Sequence, residues 1–338
     1  MRRISVLALL SFALLAPGAA AAAEKAPPPA CSGHDILTEI QTSDPAGYAR
    51  IRAAADAVPN TGALLWRIEG KGAPVSYLFG TIHSTDPRVT TLSPGVTTAF
   101  NAAKTVALEY VDPPPGSGEP TIQELVAAKG VYPAGHDLHD VLAPAEMAAL
   151  AKELAAGGIP EAAAARLRPW FASLALALPV CEQQRVAGGL LPLDKQLEGA
   201  AIAQGKRAVG LETMELQINA LMGLPEDVQV SLLKSTLGTL ALRDDALEVL
   251  HRAYLRRDLA TSLPFTKYIV ARAGYDASSL DAVERALVVK RNYGMRDAAL
   301  PLLQEGGAFI AVGALHLLGK EGLVALVRAA GYTVTPVE

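Results

Sequence analysis

The sequence lacks the features that indicate several large classes of protein. Its 338 residues include only two cysteines, and its formal net charge of −4 leaves no basic surplus. Because phosphate binding needs a basic surface, this charge argues against a nucleic-acid partner. The Gly-x-Ser-x-Gly motif, the phosphate-binding loop and the dinucleotide fingerprint are also missing. Chemistry that depends on those motifs is therefore not among the leading interpretations.

The N-terminus has the three parts of a secretory signal peptide. Arg2 and Arg3 form a short basic region, residues 4–16 are a mostly apolar run, and a small-residue segment follows. The apolar run is short for a membrane span, which needs roughly 20 residues. We therefore expect residues 1–23 to be removed, with Glu24 as the mature start and the protein in the periplasm or secreted. A retained anchor is the alternative, and no other long apolar segment predicts an integral membrane span.

The cysteines, Cys31 and Cys181, are an even pair in a chain that is expected to be exported. In an oxidising compartment such a pair favours a disulfide. The bridge would join the mature N-terminus to the helical middle of the chain. Two buried free thiols are the alternative.

Residues 24–338 are expected to form one α/β domain. Hydrophobic residues make up 51% of the sequence, enough for a large core. Six apolar runs of strand length are interspersed with turns and helical patterns: 63–69, 75–82, 105–111, 207–212, 308–312 and 332–337. The first two predict a hairpin around a glycine turn, and the second and third, with a helix between them, predict a parallel βαβ unit. The predicted fold is a mixed, mostly parallel sheet with flanking helices and a large helical insertion at about 121–290.

Polar side chains follow four of these runs, where the strands end: His83, Glu109, Glu212 and His316. The two histidines each complete a Gly-x-x-His motif. Sites in α/β sheets are built at the carboxyl ends of strands, so these side chains are expected to converge. Two histidines and a carboxylate are a common ligand set for a catalytic zinc-type ion. The structural alternatives are hydrogen-bonded histidines and glutamates in ion pairs.

Six segments together resemble the TraB/GumN family: residues 78–83, 107–109, 209–213, 291–295, 312–319 and 330–334. They include Leu-Phe-Gly-Thr-Ile-His, Val-Gly-Leu-Glu-Thr and Val-Gly-Ala-Leu-His-Leu-Leu-Gly. Their order and spacing match over nearly the whole mature chain. That family is similar to the Tiki metalloproteases and, more remotely, to erythromycin esterases and a haem-binding lipoprotein group.

The resemblance implies an α/β fold whose paired Gly-x-x-His motifs face one cleft beneath a helical insertion. It implies roles for His83, Glu109 and His316. It also indicates Arg291 and Asn292 as side chains that could hold an anionic or carbonyl group of the substrate.

The leading expectation is an exported hydrolase of amide, peptide-like or ester bonds that depends on a divalent ion of the Mn, Co or Zn type. His83, His316 and Glu109 would bind the ion, which would activate a water and polarise the carbonyl. The general base would be Glu212, or Glu109 if it is not a ligand. Arg291 would stabilise developing negative charge. The substrate would be a peptide or small molecule, and the sequence does not give the oligomeric state.

Two alternatives stay open at this point. The first is a metal-free esterase-type hydrolase or transferase in which His83 is the general base and Glu109 tunes it. The second is a non-enzymatic periplasmic protein that uses the cleft to bind a ligand.

Several other polar residues have simpler explanations than a place in the site. His136 and His139 lie in a loop before a helix and are not expected to bind metal. Asp194 begins a helix and reads as a capping residue. His251 lies on an amphipathic helix without a predicted role, and Arg285 lies on a charged helix that faces solvent.

Overall fold

The computed structural model describes residues 29–70, 72–113 and 116–338. The predicted signal peptide and the mature start at Glu24 lie outside these residues. Within the described ranges, no helix is both long enough and apolar enough to cross a membrane.

Six strands form one sheet. They are β1 (Leu65–Glu69), β2 (Ser76–Thr81), β3 (Thr105–Leu108), β4 (Arg207–Gly210), β5 (Ala308–Gly313) and β6 (Thr333–Pro336). Their order across the sheet is β4-β3-β5-β2-β1-β6. β1 pairs antiparallel with β2 and β6, whereas the pairs β2·β5, β3·β5 and β3·β4 are parallel. The prediction of a mixed, mostly parallel sheet is confirmed.

The order of the strands refines the predicted βαβ unit. β2 and β3 run in the same direction, as the pattern predicted, but they are not neighbours. β5 lies between them, with Val312 opposite Gly80 and Ala311 opposite Leu108. Residues 308–312 are all at least 98% buried, and such a continuous apolar run is typical of a strand covered on both faces. β5, the fifth strand along the chain, therefore lies at the centre of the sheet.

Helices cover both faces of the sheet and fill most of the chain between β3 and β5. The α-helices are α1 (Ile36–Ser43), α2 (Pro45–Asp56), α3 (Pro87–Thr90), α4 (Pro94–Ala102), α5 (Ile122–Lys129), α6 (Pro144–Ala156), α7 (Glu161–Ala164), α8 (Pro169–Ala177), α9 (Val180–Ala187), α10 (Leu193–Ala203), α11 (Met214–Met222), α12 (Glu226–Gly238), α13 (Arg243–Leu255), α14 (Ser262–Arg272), α15 (Ser279–Glu284), α16 (Lys290–Glu305) and α17 (Leu323–Ala329). A π-helix, Arg285–Val289, joins α15 to α16, and a short 3₁₀ helix, Ala314–Leu317, follows β5. The predicted helical insertion is thus present, with β4 as the strand embedded in it.

The sheet is buried on both faces because its central strands alternate between two cores. Phe79 and Phe309 pack with α4 and α10 on one face. Leu78 and Ile310 pack with α16 and α17 on the other. The helical insertion has a third apolar cluster of its own, which includes Leu150 from α6. The central strands are therefore packed on both faces, and the edge of the sheet that carries the polar side chains is supported by these cores.

A disulfide joins Cys31 to Cys181, with their Cα atoms 5.3 Å apart, as the sequence predicted. Cys181 lies in the first turn of α9, and Arg185 of the same helix donates to the carbonyl oxygen of Pro29 at 2.8 Å. The next residue, Glu182, is 1% exposed and accepts from the amide of Thr85 at 3.0 Å. The bridge therefore fixes a helix that also holds the loop after β2.

Removal of this bridge is expected to lower the free energy of unfolding by about 2–5 kcal/mol, since it closes a long loop in the unfolded chain. The two cysteines are 150 residues apart. Urea unfolding with and without reductant would measure the loss. A Cys31→Ala/Cys181→Ala variant is the control, because reductant should not affect it. Thiol labelling of the denatured, unreduced protein at both positions would contradict the bridge.

Candidate functional site

Four parallel strands end at the same edge of the sheet. Taken in the order β2, β3, β4 and β5, they lead into His83, Glu109, Glu212 and His316. This is the edge at which α/β proteins build their sites. The side chains singled out in the sequence are thus all mounted on one edge.

The glycine of each Gly-x-x-His motif makes room for neighbouring residues of the site. A Cβ atom on Gly80 would lie 2.7 Å from the Cβ of Ala314, in the turn that carries His316. A Cβ atom on Gly313 would lie 2.9 Å from Oε1 of Glu109. Glycine permits these approaches because it has no side chain to clash. The two motifs therefore pack against each other around Glu109.

Arg291 of α16 lies between two glutamates. Its Nη2 donates to Oε2 of Glu109 at 2.6 Å, and its Nε donates to both carboxylate oxygens of Glu212 at 3.0 and 3.2 Å. Its Nη1 donates to the carbonyl oxygen of Leu287 at 2.7 Å. The three side chains are between 6% and 13% exposed. Arg291 therefore binds two buried carboxylates and offsets one of their two negative charges, whereas the sequence had suggested a guanidinium that faces substrate.

Asn292 orients the ring of His316. Nδ1 of His316 is 2.7 Å from Oδ1 of Asn292, whose Nδ2 donates to the carbonyl oxygen of Glu321 at 2.8 Å. Because the amide nitrogen is committed to Glu321, the amide oxygen accepts from Nδ1–H of the histidine. The neutral ring then has its lone pair on Nε2, which lies 3.6 Å from Oε1 of Glu109. Asn292 is 1% exposed, so it contacts His316 instead of the cleft.

His83 has a carboxylate partner. Its Nδ1 lies 2.9 Å from Oδ1 of Asp194, in the first turn of α10. Protein atoms surround the ring, but 66% of its side-chain surface is open to the cleft. Both features suit a group that exchanges protons with a bound molecule.

The environments of the two motif histidines move their pKa values in opposite directions. The hydrogen bond to Asp194 raises the pKa of His83 to about 9, with burial opposing it. Burial, assisted by the positive charge of Arg291, lowers the pKa of His316 to about 4. Burial also works against the charge of Glu109, but nearby His316, Arg291 and His83 and an amide hydrogen bond hold the pKa of this carboxyl below its ordinary value. At neutral pH the site thus contains a protonated His83, a neutral His316 and an ionised Glu109.

A small cavity of about 110 Å³ opens beside this cluster. His83, Glu109 and Asp194 line it, together with Lys195 and Tyr110. Nζ of Lys195 lies 5.0 Å from the ring centre of Tyr110. The cavity is large enough for a few waters or a small acyl group. Neither Glu212 nor His316 is among its lining residues, and His316 adjoins the cavity through its contact with Glu109.

The assignment of His83, His316 and Glu109 as metal ligands stays a prediction. Among the residues that the structure describes, no three His, Cys, Asp or Glu side chains are grouped so that they could hold a metal ion. Oε2 of Glu109 is taken by Arg291, whereas the bond from Nδ1 of His83 to Asp194 leaves Nε2 of that ring open. Of the three predicted ligands, His316 and Glu109 are the pair in direct contact, with Nε2 and Oε1 3.6 Å apart.

Two further residues of the site lay beyond the sequence analysis. Asp194 was interpreted as a helix cap, and only the fold reveals it as the partner of His83. His251 was given no role, yet it is 1% exposed and its Nε2 lies 2.8 Å from Oγ of Ser84, the residue after His83. No local sequence pattern indicates either contact, because the paired residues are 111 and 167 positions apart. His136 and His139, which were not expected to bind metal, are exposed and do not line the cavity beside His83.

Replacement of Asp194 by asparagine is expected to return the pKa of His83 from about 9 toward its ordinary value of 6.5. The pKa of His83 is higher in the folded protein, about 9, than its ordinary value of 6.5. Protonation of His83 therefore stabilises the folded protein, fully below pH 6.5, and this stabilisation is lost as the pH rises through 9. The variant should lose that contribution, and the alkaline limb of any activity profile should move down with it. NMR titration of the His83 ring would measure the shift.

Asp137→Asn is the matched control, because it removes the carboxylate 3.1 Å from Nδ1 of the exposed His139. It should leave the titration of His83 unchanged. An unaltered His83 titration in Asp194→Asn would contradict the assigned pairing.

Comparison with known proteins gives one match. The model of the family described as TraB/PrgY/gumN matches residues 64–336, which include all six strands and the four strand-end side chains. No curated protein and no solved structure matches the chain.

Proposed function

The chain belongs to the TraB/PrgY/gumN family, and from this premise we propose that it is an exported hydrolase of ester or amide carbonyl bonds in a peptide or small molecule. One observation carries the proposal: beside the Glu109 carboxylate, His83 is held by the carboxylate of Asp194 and buried His316 by the neutral amide of Asn292, contacts that favour a protonated ring and a neutral ring respectively. Titratable groups whose environments move their pKa values apart are typical of acid and base pairs in catalysis.

His316 is the general base in this proposal. Its Nε2 lone pair and Oε1 of Glu109 are 3.6 Å apart, so one water can donate a hydrogen bond to each. The water oxygen attacks the carbonyl carbon as Nε2 takes its proton. Glu109 then stabilises the imidazolium that forms. The amide of Asn292 keeps Nδ1 as the donor, which leaves Nε2 free to accept.

His83 is the general acid. Asp194 holds its Nδ1, so the proton on Nε2 is the one available to the cavity. That proton passes to the leaving oxygen or nitrogen when the carbon–oxygen or carbon–nitrogen bond breaks. This assignment differs from the sequence-based alternative in which His83 is the base. The reason is the Asp194 carboxylate, which favours the protonated ring.

Arg291 and Glu212 are positioning residues in this scheme. Both oxygens of Glu212 accept from the guanidinium, so it is a poor candidate for the base that the sequence suggested. Its charge fixes Arg291, and Arg291 in turn holds Oε2 of Glu109. Oε1 is thereby left to face His316.

The test is hydrolysis of p-nitrophenyl acetate and of a short peptide p-nitroanilide by the mature protein at pH 7, with and without EDTA. We expect turnover that survives the chelator and follows a bell-shaped pH profile with limits near 4 and 9, set by His316 and His83. Absence of turnover on every ester and amide offered, with tight binding of a ligand, would favour the non-enzymatic alternative.

A metal-dependent hydrolase is the second candidate, favoured by one contact. Nε2 of His316 and Oε1 of Glu109 are two acceptors that face each other, an arrangement that also attracts a cation. Such an ion would polarise the carbonyl and activate water. Loss of activity in EDTA, with recovery on adding Mn²⁺, Co²⁺ or Zn²⁺, would select this candidate over the metal-free scheme.

A further inference from the structure

A second and larger cleft lies behind the pair formed by Glu212 and Arg291. Its volume is about 630 Å³, within the range of roughly 300–1,000 Å³ that is usual for small-molecule sites. α11, α15, the π-helix and α16 surround it. Glu212 and Arg291 line this cleft, and Glu109, bound to the same guanidinium, lines the small cavity. The Glu109–Arg291–Glu212 group therefore lies between the two spaces.

The lining of this cleft is mostly apolar. Leu211 and Met295 are buried parts of its wall, whereas Leu216 of α11 is 56% exposed although it is a large aliphatic side chain. Alanine, leucine and proline side chains supply most of the remaining surface. Binding of an apolar ligand in such an open cleft is favourable, because it removes the apolar wall from water.

Two cations stand at the same cleft. Arg285 begins the π-helix and Lys290 follows it, and both are exposed lining residues. Neither forms an ion pair with any acidic side chain in the described part of the chain. The one acidic lining residue, Glu212, is already paired with Arg291. The cleft thus combines an apolar wall with two positive charges that form no close ion pair in the described part of the chain, although Glu284 lies near enough to Arg285 to interact with its charge.

The backbone at the cleft is also specialised. Arg285–Val289 is a π-helix, and such insertions in helices are frequent at functional sites. In this segment the carbonyl oxygen of Leu287 accepts from Arg291, so the same few residues present the cations and fix the wall between the two spaces. A ligand bound here would contact the element that supports Glu109.

From these observations we infer that this cleft binds a small amphipathic carboxylate, with its apolar body against Leu216 and Pro225 and its anionic group at Arg285 and Lys290. The apolar wall, the positive charges and the volume of the cleft all favour this class of ligand. The inference does not depend on the hydrolase proposal, because it concerns binding and can be tested in a protein that has no turnover.

The test is calorimetric titration of the mature protein with decanoate, decan-1-ol and decyltrimethylammonium, each below its micelle concentration. Decanoate should bind saturably and most tightly, because only it matches both the apolar wall and the cations. Arg285→Gln and Lys290→Gln should each weaken decanoate about two- to fivefold, as expected for exposed charge contacts, and leave decanol unchanged. Equal or tighter binding of the ammonium compound would overturn the inference.

A cleft-filling variant separates this site from other apolar surfaces. A Cβ atom on Gly294 of α16 would meet no atom within 4 Å, so Gly294→Leu can extend into the cleft without a clash. It should weaken decanoate binding at least tenfold. Gly199→Leu is the matched control, because Gly199 is an exposed helical glycine of α10 with equally open space and lies outside the cleft.

Decanoate binding that survives Gly294→Leu, or that falls equally in Gly199→Leu, would overturn the assignment to this cleft. The titrations are repeated in His316→Gln, in which binding should persist. Failure of turnover with intact binding would thus count against the hydrolase proposal alone. Turnover without saturable decanoate binding would count against this inference alone.

Discussion

Replacement of His316 by glutamine is expected to reduce kcat about 100- to 10,000-fold, the range usual for loss of a general base. Glutamine can still donate to Asn292 through its amide nitrogen, but it has no basic atom at the position of Nε2. The fold should survive, since the side chain is similar in size and its buried partner stays satisfied. Steady-state kinetics on the p-nitrophenyl ester, with an unfolding curve for each protein, would measure both effects.

His139→Gln provides the control for this experiment. His139 is exposed, and its nearest carboxylate, Asp137, belongs to the same short turn. Turnover in this variant should equal that of the unaltered protein. A His316→Gln enzyme that is folded and as active as the control would eliminate His316 as the base.

Replacement of Arg291 by methionine is expected to lower the free energy of unfolding by about 3–5 kcal/mol at pH 7, since it leaves two buried carboxylates without their counter-ion. Glu109 and Glu212 have side chains only 11% and 6% exposed. The pKa of Glu109 is held below its ordinary value of 4.5, so this group stabilises the folded protein above that pH and loses the effect as pH falls. In the variant the sign reverses, because burial without Arg291 favours the protonated acid. Its deficit should therefore shrink toward pH 4, which urea unfolding at several pH values would detect.

Arg207→Met is the matched control, because it removes an ion pair with Glu305 whose side chains are 57% and 59% exposed. Such a surface pair contributes about 0–1 kcal/mol. If Arg291→Met costs no more than Arg207→Met, the buried triad does not have the structural role assigned to it.

Local chemistry explains why much of the fold could be predicted. Ser93 accepts from the amide of Val96 and Pro94 occupies the first turn of α4, a pairing of residue types that favours the start of a helix. The hairpin of β1 and β2 formed around its glycine turn. These features depend on neighbouring residues alone. The position of β5 between β2 and β3 does not depend on neighbouring residues alone. It depends on which apolar run is covered on both faces, and that requires a comparison of all the strands in the chain.

The same distinction applies to the candidate site. Strand ends can be recognised locally, so the sequence indicated His83, Glu109, Glu212 and His316 together. Side-chain partners cannot be recognised in this way. The contact between His83 and Asp194 joins residues 111 positions apart, and no pattern near Asp194 distinguishes it from an ordinary residue of a first helical turn.

Arg291 illustrates the same limit from the opposite direction. Its charge and its place in the family pattern indicated a role near substrate. Its donors are in fact divided among Glu109, Glu212 and the carbonyl oxygen of Leu287. Whether a guanidinium is free or already bound depends on the three-dimensional arrangement of groups far apart in sequence.

The packing between the two Gly-x-x-His motifs has a consequence for how this protein can change over evolutionary time. Gly80 leaves space for Ala314 of the second motif, and Gly313 leaves space for Glu109. A mutation that adds a methyl group at either glycine would be selected against through a residue elsewhere in the site. Such a mutation would be tolerated only together with a smaller neighbouring residue, such as glycine in place of Ala314. Lineages should therefore keep or alter these positions jointly, so that the two motifs diverge as a unit although more than 200 residues separate them in the printed sequence.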